Sequence, residues 1–382
     1  MTGHTETNAP LTERRRPGRR ILFAGVLLLL AGIAVAAPRI TGAQSTTERL
    51  DACEALQPES DNQEESVVAC LTQVLVTAAE NGTYTEILAK TEHLRQGRLQ
   101  ASCHAAGHRA GIALYEEYGI DTALAKVFPA GAAEGTTPVD YICTSALVHG
   151  LVGGGEVDGS DPKAIAASCL SLDRVEYRYT HECAHFYGHG VWRRIGKLGP
   201  ELAEACALLD GGTTGLAPEI CVTGAVMQKY DLQTKHYDPF NEEAKRRETP
   251  SRTELETLCD TVTENQAYTN GCHGAVGWLS AMRAQDTLDE YDENDASYYE
   301  LAVATYTEEL GICRTDTGLQ EQCVQNFITH FRPQAYHNGI AEDVCELVGV
   351  DMTRCEKVIA LRTGKGQPAD GPVSIGSDPA GT

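Results

Sequence analysis

Fourteen cysteines in 382 residues constrain this chain more than any other feature, because most fall in pairs at a repeated spacing. One phrase recurs: a short helical segment with a cysteine near its end, a loop, then a second helical segment with a cysteine near its start. Cys53 is followed by Cys70, Cys169 by Cys183, Cys206 by Cys221, Cys259 by Cys272, Cys313 by Cys323 and Cys345 by Cys355. The gaps are 16, 13, 14, 12, 9 and 9 residues. A disulfide in each pair would staple one helical hairpin, and closing such a loop is worth about 3 kcal/mol in the chain-entropy picture. Two further units, Tyr84 to Arg95 leading to Cys103 and Ile120 to Phe128 leading to Cys143, lack the first cysteine. Cys103 and Cys143 are left over, to bond with each other or to stay free. Unpaired thiols are uncommon in exported proteins, which favours the bond.

Helix punctuation agrees with the phrase. Pro200 stands just before Glu201, Ser251 with Glu254 three residues on reads as a capping box, and Gly211-Gly212 ends a helix. The second cysteines Cys103, Cys143, Cys183, Cys221, Cys272 and Cys323 are 40, 40, 38, 51 and 51 residues apart. That period is the mark of stacked helical hairpins. The wider steps place insertions at Lys235–Pro250 and Asp286–Ala296, both charged and loop-like. Aromatics make up only 6% of the chain, so the core is built from Ala, Leu, Val and Ile, which suits helices better than a β-sandwich. The predicted fold is all-α: disulfide-stapled hairpins forming an α-solenoid or a compact superhelical bundle.

The N-terminus predicts where that fold resides. A basic stretch, Arg14 to Arg20, precedes an unbroken apolar run of 17 residues, Ile21 to Ala37. Positive charge before such a run keeps the N-terminus in the cytoplasm and sends the body across. The run is at the short limit for a span; its length and flanks favour a signal anchor, while Ala34-Val35-Ala36 resembles a cleavage site and leaves a cleaved signal peptide open. Arg19-Arg20-Ile21-Leu22-Phe23 is a loose echo of a twin-arginine signal. The expected organisation is a basic cytoplasmic tail over 1–20, a transmembrane signal anchor or signal peptide over 21–37, a linker over 38–46, a Cys/His-rich helical ectodomain over 47–361 and a disordered tail over 362–382. The protein is then held in the membrane by one N-terminal helix with its C-terminal body outside the cytoplasm, or secreted if the signal is cleaved. The formal net charge is −23, and the first 40 residues carry a local +4, which leaves −27 for the rest. A body that acidic argues against nucleic acid as a partner and suits one that attracts cations.

Histidines follow the cysteines in three consecutive units. The strings are Cys103-His104-Ala105-Ala106-Gly107-His108, Cys143-Thr144-Ser145-Ala146-Leu147-Val148-His149 and Cys183-Ala184-His185-Phe186-Tyr187-Gly188-His189. His108, His149 and His189 lie five or six residues after their cysteine, and His104 and His185 lie four before His108 and His189. Equivalent positions of stacked repeats face one way, and i, i+4 residues share a helix face. The five imidazoles are therefore candidate metal ligands, for copper or zinc. For a single histidine, packing in a small-residue core is the commoner role; for five in register, metal binding is favoured. Phe186, Tyr187 and Trp192 read as core. Tyr141, Tyr177 and Tyr179 stand near helix starts, within reach of such a site.

A competing pattern overlaps the third unit. His181-Glu182-Cys183-Ala184-His185 spells His-Glu-x-x-His, which would make His181 and His185 zinc ligands and Glu182 the base of a metallopeptidase. The longer version of that motif wants a third histidine three residues after its glycine. Here that position is Val191, and His189 directly follows Gly188. Neither a Ser-His-Asp order, a phosphate-cradling glycine loop nor a dinucleotide fingerprint is visible.

Over residues 100–360, the strings CHAAGHRAGIALYEEYG, CTSALVHG and CAHFYGHG resemble a group of uncharacterised exported Cys/His-rich helical-repeat proteins of bacteria and archaea. The resemblance implies an architecture and no mechanism. Three functions are in play: an extracytoplasmic copper- or zinc-binding protein, which could extend to a metal-dependent oxidoreductase; a zinc peptidase using Glu182; and a non-catalytic stapled scaffold for a protein partner.

Overall fold

The computed structural model describes residues 45–56, 63–90, 97–128, 143–175, 177–230, 250–260, 265–292, 295, 297–315, 318–332, 335–336 and 338–363. The basic tail, the apolar run 21–37, most of the linker, the insertion after Lys235, Tyr141 and residues 364–382 lie outside them. Among the described residues no helix is long and apolar enough to cross a membrane.

Among the described residues from Ser45 onward the structure is almost entirely helical. Up to α12 short and long helices alternate: α1 Thr46–Glu54, α2 Gln63–Glu80, α3 Tyr84–Leu88, α4 Gly97–Tyr118, α5 Ile120–Val127, α6 Cys143–Asp158, α7 Pro162–Leu170, α8 Tyr177–Ile195, α9 Pro200–Cys206, α10 Ala217–Tyr230, α11 Arg252–Thr257 and α12 Gln266–Leu288, followed by α13 Tyr298–Leu310, α14 Glu321–Thr329, α15 Ile340–Val348 and α16 Met352–Thr363. The exception is a two-residue antiparallel ladder, Arg314–Thr315 with Gly318–Leu319, in the α13–α14 loop. The even-numbered helices form one row in which each packs on the next, α2 through α16. The odd-numbered helices form a second layer, where α3 meets α5, α5 meets α7 and α13 meets α15.

Local sequence explains the boundaries. Ser45 and Ser251 each accept a hydrogen bond from the backbone N–H three residues on, while Glu48 and Glu254 reach back, so both are capping boxes. Asp161 caps α7, whose first residue Pro162 has no N–H to leave unpaired. Gly349, left-handed at φ 80°, closes α15. The insertion expected from Asp286 begins later, because α12 continues to Leu288. That residue is fully buried, and Arg332 pairs with Asp289 just beyond it. At the other end α16 runs through Thr363, two residues beyond the expected end of the helical body at 361.

All six expected disulfides are present, and Cys103 is bonded to Cys143. No described cysteine is free. Six bridges each tie one helix, or the turn that ends it, to the next helix in sequence. Cys103–Cys143 instead ties two long helices, α4 and α6.

The spacing within the long-helix row is uneven, and this positions the site. Between α4 and α6 the backbones nearly touch: a Cβ at Gly107 would run into the Cys143 carbonyl, and one at Gly150 into that of His108. Between α8 and α10, Gly188 lies against the Cys221 carbonyl and Gly224 against that of His185 in the same way. Between α6 and α8, Gly190 meets a side chain, the carboxyl of Glu156. That junction has room for large groups.

Candidate metal centre

The repeat register brings the histidines of α4, α6 and α8 to this wider junction. His104 and His108 are one turn apart on α4, with ring centroids 4.8 Å apart and Nε2 atoms 3.1 Å apart. Two nitrogens bound to one tetrahedral zinc at 2.0–2.1 Å lie about 3.3 Å from each other, so the pair already has nearly that spacing. His149 enters from α6, its ring 5.4 Å from His108 and 6.1 Å from His104. One ligand atom from each of the three falls within 4.8 Å of the others, a group that could hold a metal ion. His108 and His149 are buried, and His108 Nδ1 is enclosed without a hydrogen-bond partner.

Glu182 of α8 fixes the third ring. Its Oε2 is 2.9 Å from His149 Nε2. Burial pushes the Glu182 carboxyl up, but the hydrogen bond and charge of His149, with His185 and His104 nearby, outweigh it and hold it below the usual carboxylate range. As a carboxylate Glu182 only accepts, so His149 Nε2 donates and its Nδ1 is left for a ligand. This is the support that metal-bound histidines ordinarily have.

The imidazoles are in the form a metal requires. Burial, and then the neighbouring His149, lower His104 to about 4 against the pull of Glu182. Burial likewise drives His108 well below its ordinary value, aided by His104, His149, His189 and Arg193. His185 is lowered to about 4 by burial and His149, and His189 is held well below normal by burial and His185. Near pH 7 all four are neutral, each ring with one unprotonated nitrogen.

His185 and His189 form a second pair on α8. Their Nε2 atoms are 3.1 Å apart and their rings 4.9 Å. The His185 ring is 6.2 Å from that of His149. Phe186 lies between these residues in sequence and is buried at 2% exposure. It stacks on His149 and His189, both at 5.1 Å, and tilts against His108 at 5.5 Å. It is core, as its type suggests, and also a wall shared by both pairs.

His181 is placed differently. It sits in the second turn of α8, outside the three-histidine group, with its Nε2 2.8 Å from the Thr214 hydroxyl. Tyr179 is buried against Phe128, 4.8 Å between rings. Three residues beside these histidines were not singled out from sequence. Gln228 Oε1 holds His189 Nδ1 at 2.8 Å. Glu156 is enclosed with neither carboxyl oxygen hydrogen-bonded, and burial raises it to about 8 against Arg194 and Arg193. Arg193 Nη2 donates to Gln228 at 3.1 Å. Gln228 was within reach of register, seven residues after Cys221, but it is not a histidine and so stands outside the pattern the sequence displays. The neighbourhood of Glu156 depends on the absence of a side chain at Gly190, which nothing in α6 itself signals.

Comparison of the chain with known protein families, curated proteins and solved structures finds no match.

Proposed function

We propose that this chain is an extracytoplasmic metal-binding protein in which His104, His108 and His149 hold one copper or zinc ion and Glu182 orients His149. One observation carries the reading: three imidazoles from two disulfide-joined helices gather their ligand atoms within 4.8 Å at a junction where burial keeps His104 and His108 neutral. Seven disulfides fit an oxidising compartment. The basic-then-apolar N-terminus supports a membrane-anchored α-solenoid facing outward, with release if the signal is cleaved. Three protein ligands leave a fourth position for water or substrate, the arrangement of catalytic rather than structural metal sites. With copper it would support redox chemistry, so a metal-dependent oxidoreductase is the enzymatic extension of the same site.

The zinc-peptidase reading asks His181 and His185 to share an ion with Glu182 as base. Engagement of His181 with Thr214 and of Glu182 with His149 gives Glu182 an orienting role instead. Elemental mass spectrometry on the purified protein tests the proposal. The double variant His104→Ala/His108→Ala should lose one equivalent of metal while keeping its helical circular dichroism. Glu182→Gln should keep the metal but bind it about 10- to 100-fold more weakly. Unchanged metal content in the double variant would overturn the reading and favour a stapled scaffold.

A further inference from the structure

The histidine pair of the first centre occurs twice, in the same structural setting. In α4 the order is His104-Ala105-Ala106-Gly107-His108, and in α8 it is His185-Phe186-Tyr187-Gly188-His189. Both pairs face each other through Nε2 at 3.1 Å. Both glycines sit under the carbonyl of the cysteine on the next long helix, Cys143 for Gly107 and Cys221 for Gly188. The helix pair α8–α10 thus repeats α4–α6 in its histidine pair, its cysteine register and this glycine contact. Six positions after Cys143 stands His149, the third imidazole of the first group. Six positions after Cys221 stands Met227.

The second pair is also prepared electronically. A guanidinium only donates, so the Gln228 atom that meets Arg193 Nη2 at 3.1 Å is the amide oxygen. That same oxygen faces His189 Nδ1 at 2.8 Å and cannot donate to it. Nδ1 therefore carries the ring proton, and His189 Nε2 is the unprotonated nitrogen that accepts from His185 Nε2. An acceptor gripping the far N–H of an imidazole fixes both tautomer and ring orientation for a metal on the near side.

We propose that His185, His189 and Met227 form a second metal centre, distinct from the first, and that it takes cuprous ion. Two imidazoles and a thioether are a soft donor set, which selects Cu(I) over zinc. Each centre has its own imidazole pair, and Phe186 packs on a member of each, His108 and His189. The second centre stands on the repeat and the Gln228 contact, and does not need the first to be filled.

Copper(I) offered anaerobically to the full chain, with copper counted by mass spectrometry and its neighbours read by X-ray absorption, tests this. His185→Ala/His189→Ala should lose one copper, and with it the sulfur scattering. Met227→Leu, nearly isosteric and safe for folding, should lose the sulfur scattering and at least tenfold in Cu(I) affinity, about 1.4 kcal/mol. His104→Ala/His108→Ala should retain a sulfur-bound copper; that result with no other copper in the wild type would remove the first centre and leave the second standing. Copper without sulfur neighbours in the wild type, or copper content indifferent to the His185/His189 double change, overturns the proposal whatever the fate of the first site.

Discussion

Single side chains decide the chemistry here, and they do so through neutrality. An imidazole in the unfolded chain titrates near 6.5, whereas His104 and His185 in the fold are held at about 4, first by burial and then by His149. Between those two values the unfolded state binds more protons than the folded one, so stability falls as pH drops through that window. The metal-free protein should therefore melt at a lower temperature at pH 4 than at pH 7. His185→Gln should flatten that dependence, and an unchanged slope in the variant would show that His185 does not enter the fold neutral. The order of the five histidines could be read from sequence, because i, i+4 spacing and the cysteine register place residues on faces. Their partners could not. Whether Glu182 serves a water or a ring depends on how α8 packs against α6, where Glu156 fits against Gly190.

At the level of the helices, glycine sets distance. Gly107, Gly150, Gly188 and Gly224 bring α4 onto α6 and α8 onto α10, and the lack of an equivalent backbone contact leaves the α6–α8 junction wide enough for rings. Gly188→Val would force two methyl groups into the Cys221 carbonyl and push the helices apart, at a cost of about 3 kcal/mol or more. Thermal melts should show that loss. Gly159→Ala, in open space at a left-handed φ of 77°, should cost only about 1 kcal/mol. Equal losses would mean that the close approach is not what Gly188 provides. The hairpins and the Ser251 capping box were legible because Ser251, Glu254 and the paired cysteines act locally. The length of α12 was not, since burial of Leu288 and the reach of Arg332 come from elements far along the chain.

Across the molecule, each long helix leans chiefly on its immediate neighbours in the row, so stability should be nearly a sum over units. A fragment of residues 45–230 contains α1 to α10 and every residue assigned to either histidine centre. It should keep its helical signal and its metal, and melt without a drop in cooperativity when α11 to α16 are missing. A fragment that is unfolded would show that the later units stabilise the earlier ones at long range. The stacked-hairpin plan was open to reading because its period is written in cysteines. The fate of the first 44 residues lies outside the described structure and rests on their charge and hydropathy alone. One regularity of the bridges reaches past the folded state: every bond joins a cysteine to the next one along the chain, Cys103–Cys143 included. A polypeptide threaded through a translocon from its N-terminus presents its thiols to an oxidase in that same order. Linking each newcomer to the one still waiting yields the native pattern on the first attempt, so maturation outside the cytoplasm would ask for an oxidant and leave an isomerase with nothing to correct.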